Sequence, residues 1–296
     1  PNAGKSNILE ALGLFSLPSN PEEFRGFLRF KTPDNLFFEN NISIPIEVKY
    51  GELASKVMYL RDKKFYFSID SIKGEEHNHL SLLQFNNEIL HKPEGSGTTN
   101  IGYYKFKALD NYNESEYIYL KPPYGSNLFS IIRTNPEVKR FVSELFKSMG
   151  YRLGLRMGQG EIEMLRDKED EIQLYPYQNI SDTLQRIIFY HAAIASNKGN
   201  ILIFEEPEAN TFPYYTKQLA ETIAGDEEVR FFIVTHNPYF LNSLVQQTPI
   251  EQLNVFVTYM EDYQTKLRKL SEDDFSKILD LDKEVFYNLD ILGQPA

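Results

Sequence analysis

"NILIFEEPEA" (200–209) is the stretch on which the reading of the fold turns. The apolar run Ile201 to Phe204 leads straight into Glu205 and Glu206, so a buried strand delivers two carboxylates at its C-terminal end. Ligand sites of open parallel sheets lie at that end. A carboxylate there can help hold a divalent cation, and its neighbour can orient or deprotonate a water. Read as local structure alone, the same acids would open a helix, where negative charge is favoured.

Around this strand, helix and strand signals alternate from Asp182 onward: "DTLQRIIFYHAAIAS", "NILIF", "YYTKQLAETIAG", "VRFFIVT" and "YFLNSLV". That alternation predicts parallel strands joined by crossover helices. The second strand of the series ends in Thr235 and His236, and Asn237-Pro238 starts the next helix. A histidine alone is most often structural; this one ends a strand beside the acids, within reach of a phosphate. In "YQNISDTLQRIIFYHAAIA" (177–195), Ser181 is an apt N-cap and Asp182 suits the first turn. Helix N-termini also bind anions, so the same turn could meet a phosphate supplied from outside the chain.

The chain opens "PNAGKSN" (1–7), and Gly4, Lys5 and Ser6 match the second half of the phosphate-loop pattern G-x-x-x-x-G-K-[ST]. Alone, a glycine-initiated helix with a surface lysine explains them equally well. "GKSNILEALGLFSLP" predicts a helix from about Lys5 that stops before Pro18. With no initiator methionine or signal-peptide pattern, the start reads as a truncation. A further strand is expected upstream, ending in a glycine two positions before Pro1.

Between these motifs, "ISIPIEVKY", "SKVMYL", "KKFYFSID", "IGYYKFK" and "EYIYL" predict a largely antiparallel β region, and "KGEEHNHL" a solvated loop holding His77 and His79. "KPPYGSNLFSIIRTNPEVKRFVSELFKSMG" predicts helices that stop at Gly150, followed by strands in "YRLGLRM" and "GEIEMLR". "LNVFVTYM" and "QTKLRKL" predict two late strands, and "SEDDFSKILDL" a helix capped by Ser271. The expected organisation is a single head, 1–296. It comprises a P-loop helix and loop (1–36), a β-rich lobe (37–125), a helical subdomain (126–180) and the motif-bearing core (181–296).

Zero cysteines exclude disulfides and thiolate metal sites and fit a reducing, cytoplasmic setting. No apolar run approaches the roughly 18 residues of a membrane span. The net charge of −11 repels polyphosphate backbones on average, so DNA binding would need a local basic patch. Arg25, Arg29 and Lys31 form a modest basic cluster that reads as a solvated segment.

The ordered set G-K-S, S-D-x-x-Q-R, hhhhEEPE and hhhTH resembles the ABC-type ATPase heads of the SMC, RecF and OLD-like class. It resembles above all the stand-alone prokaryotic AAA-labelled ATPases with an "EPEA" motif. Pro1 to Leu12 and Tyr177 to Leu244 carry the resemblance. It implies an α/β fold of the P-loop NTPase, ABC-ATPase type: a mixed sheet with crossover helices, an antiparallel β-rich lobe and a helical subdomain. It implies ATP and Mg²⁺ as cofactors, with Asn2, Ala3, Gly4, Lys5, Ser6 and Asn7 in the phosphate loop. Ser6 and Glu205 would ligate Mg²⁺, and Glu206, His236 and Lys5 would be the catalytic set. Ser181 and Asp182 would meet the nucleotide of a second copy in a homodimer, with the segment Glu208 to Asn210 near the interface.

The sequence departs from the family pattern in places. Glu205 stands where aspartate is usual, "SDT" replaces a pair of glycines, and Asn210 follows "EPEA" where histidine is common. A metal-contacting glutamine has no clear counterpart beyond Asn35 or Gln84. By analogy the ATPase would serve DNA maintenance or phage defence with a nuclease or toxin partner. The alternatives are a non-hydrolysing, ATP-gated regulatory module and the ATPase part of an OLD-like nuclease. Asp280 and Asp282 supply a D-x-D pair for the latter, read here as helix charge. A small-molecule kinase would leave the TH strand and the S-D-x-x-Q-R helix without a role. A transporter subunit fits poorly with the atypical signature and the large β-rich insertion.

Overall fold

The computed structural model describes residues 4–19, 23–60, 64–73, 76–85, 89–94 and 99–281. The chain divides into two compact units, Asn7–Tyr103 and the combination of Pro1–Ser6 with Tyr104–Ala296. Helix α1 (Lys5–Gly13) begins in the latter and continues into the former, where a 3₁₀ turn, Leu14–Ser19, follows it.

In the unit Asn7–Tyr103, the short helix α2 (Phe24–Phe27) and two 3₁₀ turns precede five antiparallel strands. These are β1 (Ile46–Tyr50), β2 (Leu53–Tyr59), β3 (Phe65–Lys73), β4 (Glu76–Phe85) and β5 (Ile89–Glu94), each beside the next in chain order. Val57, Phe67 and Ile69 are buried on this sheet, and Phe15 of the 3₁₀ turn is buried as well. His77 and His79 are therefore not in a loop: they lie on β4, opposite Ile72 and Asp70 of β3. Strand β6 (Ile101–Tyr104) runs from this unit into the other, which takes its last residue, and the Tyr103 N–H donates to Ser16 Oγ at 3.0 Å.

The other unit holds α3 (Leu128–Thr134), α4 (Pro136–Ser148) and an antiparallel trio, β7 (Arg152–Arg156), β8 (Glu161–Lys168) and β9 (Glu171–Pro176). Helix α5 (Asp182–Ser196), β10 (Ile201–Glu205), α6 (Pro213–Ala224), β11 (Arg230–Val234) and α7 (Pro238–Gln247) follow. The hairpin β12 (Phe256–Glu261) and β13 (Gln264–Lys269) leads into α8 (Glu272–Leu281). Strands β10 and β11 are parallel and in register from Ile201↔Arg230 to Glu205↔Val234, with α6 as the crossover between them. The expected mixed α/β architecture, with crossover helix and antiparallel sheets, is thus present, and no described helix is long and apolar enough to cross a membrane.

Local chemistry explains most of the boundaries. Asn135 and Asn237 each precede a proline at the first helical turn and accept two backbone N–H groups, so α4 and α7 start alike. Ser271 caps α8 through a reciprocal exchange with Asp274. Ser181 precedes α5 but makes no side-chain cap bond. Almost all of α5 is buried, with Ile188, Tyr190, Ala192 and Ala193 fully inaccessible, as expected of a helix apolar on most faces.

"EYIYL" (116–120) is not a strand. Its backbone is held by side chains instead: Leu120 N–H donates to Ser196 Oγ at 2.9 Å, and Asn127 Nδ2 donates to Tyr119 O at 2.9 Å. The Tyr104 hydroxyl donates to Leu120 O at 2.5 Å. With these groups satisfied, a ladder partner is not required.

Phe204 packs its ring against Tyr104, Phe231 and, most closely, Tyr190 at 4.8 Å between centroids. Phe204→Ala is expected to destabilise the protein by about 3–5 kcal/mol. The surface change Glu221→Ala should stay within about 0.5 kcal/mol. Denaturant unfolding of both variants measures the contrast.

Candidate functional site

Register and burial put two acids where β10 ends. Leu202, Ile203 and Phe204 are fully buried, and the Glu205 side chain is only 10% exposed at the strand's last position. Glu206 then turns into the left-handed region at φ 44°, which is sparsely populated by residues other than glycine and recurs at functional sites. Its N–H donates to Val234 O at 2.9 Å, tying the turn to the end of β11. The Ala209 N–H donates back to Glu206 O at 3.0 Å, so the EEPEA segment is a turn, and α6 starts only at Pro213. The acids do not open a helix.

From β11 the chain passes through Thr235 to His236, whose Nε2 lies 3.2 Å from Glu206 Oε1. Burial, with the Lys5 ammonium acting in the same direction, holds the imidazole below its ordinary pKa against the opposing pull of Glu206. His236 is therefore neutral at pH 7, and its Nε2–H can donate to the carboxylate. Lys5, the first residue of α1, is itself lowered by burial, and the Glu206 charge counters part of that shift. Lys5, Glu206 and His236 thus form one electrostatic cluster.

Gly4 precedes Lys5 with φ 73°, and a Cβ there would fall 2.0 Å from Thr265 Oγ1, so the position admits only glycine. Ser6 is half-buried in the first turn of α1, and Asn7, exposed on the same turn, belongs to the other unit. Asn2 and Ala3 lie outside the described residues. Ser181 and Asp182 are exposed at the start of α5, and Thr183 Oγ1 donates to Asn210 O at 3.2 Å, which joins that helix start to the turn after β10.

Two contributors escaped the sequence reading. Lys105, the residue after β6, places Nζ 2.9 Å from Glu205 Oε2; nothing in "YYKFK" signals a partner a hundred residues away. Glu208, expected only in the segment near a dimer interface, is buried at 3% exposure and accepts from the Thr235 hydroxyl through Oε1. Its Oε2 makes no hydrogen bond among the described residues. Thr235 Oγ1 also accepts from Asn237 N–H at 2.9 Å, so one short chain of polar groups braces the start of α7.

Among the described residues no group of three or more His, Asp or Glu could cage a metal. The residues that the sequence assigns to a cation are one carboxylate, Glu205, and one hydroxyl, Ser6. That set fits Mg²⁺, which retains waters and binds through one or two carboxylates together with substrate phosphates. Asn35, considered as a further metal contact, is engaged locally. Its Oδ1 accepts from Thr32 N–H at 3.0 Å and its Nδ2 donates to Asn40 at 3.1 Å. The side chain of Gln84 and Asp282 lie outside the described residues, while Asp280 sits in the last turn of α8. The basic cluster is also engaged: Arg29 pairs with Glu10, and Arg25 lies 5.1 Å from the Phe30 ring centroid.

No protein-family model matches the chain, and no curated protein matches it in sequence. Among solved structures it is similar to SMC ATPase heads. One, described in work on ATP-driven dimerisation and DNA-stimulated activation of SMC ATPases, is 18% identical with a TM-score of 0.36; the match covers 57% of this chain and 99% of that one. Another, an SmcHead bound to the C-winged helix domain of ScpA, is 15% identical with a TM-score of 0.47, covering 93% of this chain and 89% of that one.

Burial pushes the Glu208 carboxyl above the ordinary carboxylate range, with the Thr235 hydrogen bond opposing. A carboxyl raised on folding favours the folded state below its unfolded pKa, and that contribution is lost as pH rises through the folded value. Glu208→Gln keeps an acceptor for Thr235 and cannot ionise. Its thermal stability should therefore fall less than wild type's as pH rises above the ordinary carboxylate range. Parallel slopes in differential scanning fluorimetry would count against a raised Glu208.

Proposed function

We propose that this chain is an ATP-binding, Mg²⁺-dependent ATPase head that dimerises around ATP. The observation that carries the reading is the convergence of Lys5, Glu206 and His236, with His236 Nε2 3.2 Å from the Glu206 carboxylate. A phosphate docked at the start of α1 meets backbone N–H groups, the helix dipole and the Lys5 ammonium. Gly4 lets the backbone approach closely.

Glu206 is suited to align a water and take its proton, because its carboxylate stands past the end of the buried strand, partly exposed and held by His236. Neutral His236 holds that carboxylate through Nε2–H and leaves the base charged. Ser6 and Glu205 would hold the cation, which supplies charge neutralisation at the phosphates when bound. Ser181 and Asp182, at a helix start whose serine makes no cap bond, would face the nucleotide of a second copy. Such a two-fold interface makes each ATP a bridge between subunits. A DNA-maintenance or phage-defence role, with a nuclease or toxin partner, is inferred from the resemblance alone.

A second reading is an ATP-gated binding module with negligible turnover. The Lys105–Glu205 pair favours it, since the carboxylate assigned to the metal is held by a lysine. Steady-state hydrolysis measured with and without DNA separates the two. Sustained phosphate release identifies the enzyme, and tight ATP binding with dimerisation and no release identifies the module.

Glu206→Gln should keep ATP binding, accumulate a dimer with ATP and lose turnover by roughly 10²–10⁴-fold; hydrolysis at the wild-type rate would remove Glu206 from the role of base. Lys5→Ala should abolish nucleotide binding by calorimetry. Unaltered affinity there would overturn a phosphate loop at this position.

A further inference from the structure

Glu205 is a charge delivered by a strand whose preceding side chains are buried, and its own side chain is 10% exposed. A carboxylate so placed needs a compensating cation. Lys105 supplies it, with Nζ 2.9 Å from Oε2.

The root of that lysine is fixed. Its N–H donates to Pro123 O at 3.0 Å, and the preceding Tyr104 is fully buried, donating its hydroxyl to Leu120 O while accepting from Asn197 Nδ2 at 3.0 Å. The head is not fixed in the same way. The Lys105 side chain is 38% exposed, and a lysine is a compact charge on a flexible stem that is readily taken up by water. The fold therefore anchors the backbone and leaves the ammonium able to depart.

We propose that Lys105 is a built-in competitor of the divalent cation at Glu205: a resident positive charge that holds the carboxylate in place and must release Oε2 before that oxygen can bind metal. This deepens the ATPase reading and rests on it. It also gives the site a threshold, because nucleotide arriving without a divalent cation leaves the Lys105–Glu205 pair intact. Lys105 is on this view a positioning residue acting through Glu205. It would set the cation concentration at which the site loads, rather than touching the reacting atoms.

The test titrates Mn²⁺ by electron paramagnetic resonance against the protein saturated with a non-hydrolysable ATP analogue, alongside calorimetry of analogue binding. Lys105→Met should bind Mn²⁺ about three- to tenfold more tightly than wild type, the range set by losing one partly exposed ion pair. Lys105→Arg, which keeps the charge, should stay near wild type. In a Glu205→Gln background the Lys105→Met gain should vanish. Unchanged or weaker Mn²⁺ binding in a folded Lys105→Met that still takes the analogue would overturn the competitor role and leave the ATPase reading standing. Failure of the wild type to bind the analogue at any Mn²⁺ concentration would overturn both. Should Lys105→Met fail to fold, Lys105→Gln carries the same expectations.

Discussion

The parallel register of β10 and β11 is the constraint on which the site depends. Glu205 stands opposite Val234, and the last bond, from Glu206 N–H to Val234 O, stops both strands at the same level. Side chains alternate across a strand, so a slip of one residue would turn the carboxylate edge to the opposite face of the sheet. The run Ile201 to Phe204 is buried on both faces, so such a slip costs packing: each side chain would have to fit the space shaped for its neighbour. Core packing and site geometry are in this sense one quantity: the apolar residues of β10 fix where the acids emerge.

The register aligns the strand ends, and a few buried polar side chains then set the loops beyond them. Glu208 receives the Thr235 hydroxyl, Thr235 receives the Asn237 N–H, and Asn237 caps α7. His236 lies inside that chain of bonds, so its ring is aimed by groups on both sides of it in sequence. Tyr104 does comparable work at the root of Lys105, joining Leu120 and Asn197. Hydrogen bonds made in buried surroundings are strong, and leaving one partner without its mate costs about 1–3 kcal/mol. These fastenings therefore define single loop conformations more sharply than apolar contact would.

Legibility in the sequence followed the range of the interaction. The strand NILIF, the helices after Asn135-Pro136 and Asn237-Pro238, and the Ser271 cap were readable because each signal and its structural effect lie within a few residues. EYIYL carried β-rich composition but is held by Ser196, Asn127 and Tyr104, groups no window around it contains. Strand β9 was missed because its hairpin turns at Glu169, in the left-handed region at φ 51°, with none of the glycine or asparagine that usually marks such a turn. In the site, the motif residues Lys5, Glu206 and His236 were all identifiable, and the structure brings them into one cluster. Lys105 was not identifiable, because a lysine after a strand is ordinary until Glu205 is seen 2.9 Å away.

The chain's net charge of −11 bears on how a polyanion could be accepted at all. At physiological ionic strength the screening length is about 8 Å, so remote surface carboxylates contribute little at the ends of β10 and β11. The charge there is set by the nearest groups, Lys5, Lys105, Glu205 and Glu206. Neutral His236 adds no charge of either sign to that balance. With Lys105 seated on Glu205, one carboxylate is already compensated, and the local balance rests on Lys5 and the helix dipole against Glu206. On the proposed reading, nucleotide binding and the Lys105–Glu205 pair would share one charge balance, because Glu205 and Glu206 are consecutive residues at the end of β10 and Lys105 already sits 2.9 Å from the first of them.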